Sequence, residues 1–165
     1  MTIAGPLLME LEQEAQATRR ILERVPDDKL AWRPHPKSST LGQLAFHIAS
    51  TPGAIAQLSQ QDLDRVPDFS QPQPESRAQI LTALEDSLAT AKTVVGGMTD
   101  ASFMSNWTMK NGGRVAMQLP KAALLRAIML NHWYHHRGQL CVYLRMLDIP
   151  VPAIYGVSAD ENPLA

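Results

Sequence analysis

The segment NHWYHHRGQL, residues 131–140, places three of the chain's five histidines within five positions. A helix turns by roughly 100° per residue, so positions four apart lie within about 40° of each other. His132 and His136 therefore share a face, while His135 lies about 100° from His136, nearer the edge of that face. A neutral imidazole is a good ligand for zinc, nickel, iron or copper through one ring nitrogen. An i,i+4 pair brings two such nitrogens to one ion. His47, in LGQLAFHIAS, sits beside Leu44, Ile48 and Thr51 on an inward helical face and can aim a third imidazole at the pair. Metal sites in helix bundles are built in this way, from facing helices. Three such ligands leave at least one coordination position for water or substrate, the pattern of catalytic rather than closed structural zinc. Being neutral, they leave the ion's charge uncompensated, so the site favours an anion such as hydroxide, carboxylate or thiolate. The competing reading is a set of core histidines, each bonded to a backbone carbonyl or another side chain.

Four helices must position these residues. The first is predicted over Pro6–Val25, with Leu7, Leu8, Leu11, Ala15, Thr18, Ile21 and Leu22 at helical spacing. Pro6 suits a first turn and Pro26 marks the end. The second begins at SSTLGQLAFHIAS, with Ser39 or Thr40 as cap and Leu41, Leu44, Ala45, Ile48, Ile55 and Leu58 as its stripe. Pro52 and Gly53 are expected to kink or interrupt it. Residues 61–76 are polar and proline-rich and read as a long connection. The third helix, SRAQILTALEDSLATAKTVVGG, ends at Gly96-Gly97. Asn111-Gly112 marks a hairpin or tight turn, and the fourth helix runs from Lys121 to Leu147. Its inward stripe is expected to hold Leu125, Met129, His132, His136, Gln139, Leu140, Tyr143 and Leu147. The pattern is all-α, a four-helix bundle with a short hairpin or loop before the last helix, in one domain spanning residues 1–165.

The totals narrow the function. A chain of 165 residues with 45% hydrophobic and 19% charged residues can bury a substantial core. A net charge of −1, with no basic block, argues against nucleic-acid binding. The lone cysteine, Cys141, excludes an intrachain disulfide and fits a reducing cytoplasm. The first residues, MTIAGPLLMELEQEAQATRR, lack a basic region and a long apolar run, so neither a signal peptide nor a membrane span is expected.

Other residues bear on the chemistry. HExxH is absent, because Trp133 holds the glutamate position, and no carboxylate lies near the histidine pair. Gln43 and Gln139 fit two roles equally: orienting a water or substrate, or filling polar gaps in the core. Tyr143 reads as a packed aromatic with a bonded hydroxyl. Arg137 is expected to pair with a carboxylate of a neighbouring helix or partner chain, and Gly138 to permit close helix packing. Cys141 reads as a plain packed residue. His35 is expected in solvent, and Trp32, Trp107 and Trp133 in core or interface packing rather than in a pocket wall. No nucleotide-binding glycine loop occurs.

LGQLAFHIA following WRPHPKSST, then NHWYHHRGQL, then LRMLDIPVPAIYG together resemble the DinB/YfiT-like metalloenzyme family. That family, distinct from the DNA polymerase sharing the name, carries a histidine in the second helix, HxxxHRGQL in the last, and a tail with Pro and Tyr-Gly. All three occur in that order between Leu7 and Gly156. The resemblance implies a four-helix bundle whose spatial order need not follow chain order. It also implies a divalent metal, nickel or zinc with iron or manganese as further candidates, held by His47, His132 and His136. His135 fills a variable position before the last ligand. Homodimers are frequent in the family. Some relatives depend on a low-molecular-weight thiol cosubstrate, as bacillithiol S-transferases and a mycothiol-dependent maleylpyruvate isomerase do. The expectation is a cytoplasmic metal-dependent enzyme, transferase or hydrolase, that activates a thiol or water toward a small-molecule substrate. The alternative is a non-enzymatic, stress-linked metal-binding or interaction bundle.

Overall fold

The structure is a computed structural model that describes residues 2–164. Three long helices come first: α1 (Ala4–Leu22), α2 (Leu41–Leu58) and α3 (Arg77–Gly97). A short α4 (Asp100–Met104) leads into a hairpin of β1 (Asn106–Asn111) and β2 (Arg114–Pro120). The last helix runs in three parts: α5 (Lys121–Leu124), a π-helical segment (Leu125–Asn131) and α6 (His132–Met146). Helix α3 packs against α1 and α2, and α6 also packs against both, so the bundle does not follow chain order. The core between them is apolar, with Leu11, Ile21, Ile48, Leu84, Met129 and Leu140 fully buried. No described helix is long and apolar enough to cross a membrane.

Helix α2 starts at Thr40. Its hydroxyl accepts from the Gln43 amide at 3.1 Å, and the Gln43 side chain accepts from the Thr40 amide at 3.0 Å. This capping box satisfies two otherwise unpaired backbone donors. It also assigns Gln43 a structural role. Of the kink or interruption expected at Pro52 and Gly53, the interruption does not occur: α2 runs through both residues. Proline has no N–H, so the Ile48 carbonyl loses its usual partner four residues on. Trp133 Nε1 on α6 donates to that carbonyl at 2.8 Å. The Gly53 amide donates to Ser87 Oγ on α3 at 2.8 Å, and a Cβ at Gly53 would lie 2.8 Å from Ser87 Cα. Glycine there sets how closely α2 and α3 approach.

The last helix also departs from expectation. A continuous α-helix would carry the buried stripe of Leu125 and Met129 on through His132 and His136. The π turn adds residues to one turn and rotates everything after it. The buried stripe therefore continues through Trp133, Arg137, Leu140 and Leu144, while His132 and His136 are only half-buried. Gly138 does not mediate close packing, since nothing lies within 4 Å of the position its Cβ would take.

The expected hairpin is present, but its turn is centred one residue later. Gly112 and Gly113 have φ of 57° and 79°, the left-handed pair that a two-residue hairpin turn requires. The connection over 61–76 is irregular except where Leu63 docks on β1. The Leu63 amide donates to the Thr108 carbonyl at 2.9 Å, and the Lys110 amide donates to the Leu63 carbonyl at 2.8 Å. The hairpin is thus tied to the end of α2.

The tail is fastened to α1. Arg137, with only 2% of its side chain exposed, pairs with Glu14 at 2.5 Å. Its guanidinium also donates to the Thr18 hydroxyl at 3.1 Å and lies over the rings of Tyr134 and Tyr155. The Tyr155 hydroxyl donates to Glu14 Oε2 at 2.7 Å. The partner expected for Arg137 is therefore a carboxylate of the same chain. Arg20 donates to the Ala153 carbonyl at 2.9 Å, and Arg24 pairs with Glu161 at 2.7 Å. Removing one member of a buried pair strands the other's charge, which costs about 3–5 kcal/mol. Arg137→Ala is expected to lower the urea unfolding midpoint by a corresponding amount, and an unchanged midpoint would contradict this account of the tail.

Candidate metal centre

His47 projects from the middle of α2, one residue before the carbonyl that Trp133 holds. His132 and His136 project from the first turn and a half of α6, starting one residue before Trp133. The Nε2 atoms converge: His47 to His132 at 3.0 Å, and His136 to His132 at 3.1 Å. The rings stand nearly perpendicular to one another, at 86–89°, with centroids 4.2–5.2 Å apart. All three expected residues are therefore brought together, each half-buried.

The donor set fits an ion. A hydrogen-bonded explanation would make one His132 nitrogen serve two imidazoles at once, although it carries either one proton or one lone pair. A shared cation at about 2.0–2.1 Å from each nitrogen spaces neighbouring nitrogens by roughly 3–3.4 Å. The observed separations fall in that range.

The surroundings prepare the nitrogens. Burial, followed by the facing His136 and His132, pushes His47 down from 6.5 to about 4. A hydrogen bond to the Gln71 side chain opposes this. Burial is also the main cause lowering His132 and His136 below the usual imidazole range. At neutral pH the cluster is uncharged, the state that binds metal. Gln139 Oε1 lies 2.7 Å from His136 Nδ1, which places the ring proton on Nδ1 and leaves Nε2 free. The other end of that amide meets His135 Nε2 at 3.0 Å. His135 is exposed and outside the cluster, but it helps fix Gln139. Gln139 takes neither of the two roles read for it: it is exposed and bonds two histidines, His136 and His135.

Tyr143 donates to the Ser39 carbonyl at 3.3 Å and meets Trp32 edge-on at 5.7 Å, as a packed aromatic. Cys141 is half-buried, and burial raises its thiol. His35 is exposed as expected. Trp107 is buried, its Nε1 shared between the Leu58 and Gln61 carbonyls at 2.9 Å each, yet it also lines a cavity beside the cluster. Sequence reading missed Asp68, Phe69 and Gln71, which reach the site from the 61–76 connection. Nothing in that aperiodic, proline-rich stretch marks which residues fold inward.

The family model of the DinB family matches residues 2–163. The chain belongs to the DinB family. It is 30% identical to the Bacillus subtilis (strain 168) protein YrdA over 155 residues, covering 93% of this chain and 89% of that protein. A DinB-like protein from Bacillus cereus ATCC 10987 superposes with a TM-score of 0.70 at 24% identity, over 90% of this chain and 95% of its own. The DinB-like YjoA of Bacillus subtilis gives 0.67 at 16% identity, over 91% and 97% of the two chains. These two neighbours establish the DinB-like fold.

The imidazole shifts carry a pH dependence. A folded-state pKa below the ordinary 6.5 means that the unfolded chain binds more protons as pH falls through that value. For metal-free protein, stability from this source is present above about 6.5 and is lost as pH falls toward the His47 value of about 4. The melting temperature of metal-free protein should drop between pH 7 and pH 5, and less so with His47→Gln, His132→Gln and His136→Gln combined. A flat wild-type profile over that window would contradict the assignment of neutral, buried imidazoles.

Proposed function

We propose that this DinB-family chain is a metal-dependent enzyme that activates a thiol or water for transfer to a small electrophile. The convergence of three mutually perpendicular imidazoles, with Nε2 separations of 3.0 and 3.1 Å, carries the reading. His47, His132 and His136 would hold a divalent cation, nickel or zinc first among the candidates. When bound, such a cation supplies Lewis acidity that favours the deprotonated form of a thiol or water. The chain's own residues do the rest. Gln139 holds His136 in one tautomer. Gln71 and Phe69 border the cluster from the connection and line both cavities that reach it. No carboxylate belongs to the three-nitrogen group among the described residues, so proton removal by a protein base would fall to a residue outside it.

Two features favour an enzyme over a purely structural metal site. The imidazoles are half-buried rather than enclosed, and cavities reach them from two sides. Independent packing of all four long helices also gives the fold a core without metal. The expected homodimer remains part of the proposal, supported by the exposed stripe of Gly138, Val142 and Met146 along α6.

Metal analysis by mass spectrometry tests the reading. Untagged protein should carry about one divalent ion per chain, lost in His47→Ala, His132→Ala and His136→Ala. Gln139→Leu should retain the ion but bind it about 10–100-fold more weakly. Full occupancy in His47→Ala would overturn the three-ligand site. If instead metal removal unfolds the chain, the ion is structural.

A further inference from the structure

The cavities that meet at the imidazoles differ in chemistry. The smaller, about 340 Å³, reaches His47 and His136 past the polar groups of Ser38, Ser39, Gln139 and Tyr143. The larger, about 650 Å³, starts at His47 and His132 and passes between α2 and the hairpin. Along α2 it is lined at one-turn steps by His47, Thr51, Ile55 and Leu58. Eleven residues of helix correspond to roughly 16 Å, so the cavity is elongated with imidazole at one end.

Away from the imidazoles, its polar wall groups make hydrogen bonds within the protein, Gln71 Nε2 among them, donating to the Phe69 carbonyl at 2.9 Å. Ser50 Oγ donates to the Phe46 carbonyl at 2.9 Å, and Thr51 Oγ1 donates to the His47 carbonyl at 2.6 Å. Trp107 Nε1 is held by two backbone carbonyls. The Asp68 carboxylate accepts from the Ser70 amide at 2.8 Å and hydroxyl at 3.0 Å. Beyond these groups the wall is hydrocarbon and thioether, from Ala54, Ile55, Leu58, Met109, Met117 and Ile128, and the charged Asp68 carboxylate stands on the connection, so an anionic head is favoured only at the imidazole end. Phe69 and Met117 are also 59% and 38% exposed, apolar surface in the cavity wall that a bound hydrocarbon would cover.

We infer that the larger cavity binds an elongated monoanionic amphiphile, a medium-chain carboxylate in type, its hydrocarbon body along α2 and its head at the His47–His132 end. The inference rests on the proposed function in one respect: a cation held by three neutral imidazoles attracts the anionic head. The apolar body is recognised by the cavity alone.

Titration calorimetry with decanoate and acetate separates the two parts. On zinc-loaded protein, decanoate should bind at least tenfold more tightly than acetate. On metal-free protein, acetate binding should vanish while decanoate binding weakens but persists. Ala54→Phe places a ring in the cavity from an exposed position on α2. It should weaken decanoate at least tenfold without changing zinc content or acetate binding. Met117→Trp fills the same space from the hairpin, so a folding defect in one variant leaves the other to decide. Equal affinities for the two acids, unaltered by either substitution at full zinc content, would overturn the inference. Failure of the metal reading looks different: no zinc, no acetate binding, and decanoate still displaced by Ala54→Phe. That result would overturn the cation and leave the apolar cavity assigned.

Discussion

The hydrogen bond from Trp133 Nε1 to the Ile48 carbonyl is the joint on which the site depends. It exists because Pro52 withholds the N–H that would otherwise occupy that carbonyl. Both partners are fully buried, in a medium where an unpaired carbonyl is costly. Each is a direct neighbour in sequence of a cluster histidine: Ile48 follows His47 and Trp133 follows His132. A bond of 2.8 Å between α2 and α6 therefore fixes the spacing of two imidazoles carried on different helices. A residue that looks like a helix breaker thus becomes a joint between helices.

The π turn is the second constraint. The sequence correctly placed His132 and His136 on one face, and it correctly paired them with His47. It could not show that the face was no longer the core face. That shift depends on hydrogen bonds slipping from i−4 to i−5 over Leu125–Asn131, which no pattern of apolar residues announces. Read with a uniform helical phase, the histidines belong with Leu125 and Met129. After the shift, Trp133 and Arg137 take those places, and the imidazoles turn toward the two cavities. Arg137 was legible as a residue seeking a carboxylate, but Glu14, Tyr155 and the folded tail are distant in sequence and emerged only from the fold.

What was legible follows the strength of local rules. The start of α2 was marked by its cap at Thr40, the end of α3 by the Gly96-Gly97 pair, and the hairpin by its glycines. The connection over 61–76 was legible only as irregular. Yet it carries Phe69 and Gln71 to the cluster, because Leu63 docks on β1 and the Thr108 amide donates to Asp62 at 2.8 Å. Long-range docking of a loop has no periodic signature. The result is a site with a rigid half, on α2 and α6, and a half supplied by the loop, in keeping with the division between scaffold and functional loops in many proteins.

The account rests on three imidazoles sharing one ion with positions left for exogenous ligands. X-ray absorption spectroscopy on zinc- or nickel-loaded protein tests this most directly. The account predicts three imidazole nitrogens at roughly 2.0–2.1 Å, with the remaining shell made of light atoms from solvent that added thiol or carboxylate displaces. A shell closed by four protein ligands, or one with fewer than three imidazoles, would contradict it.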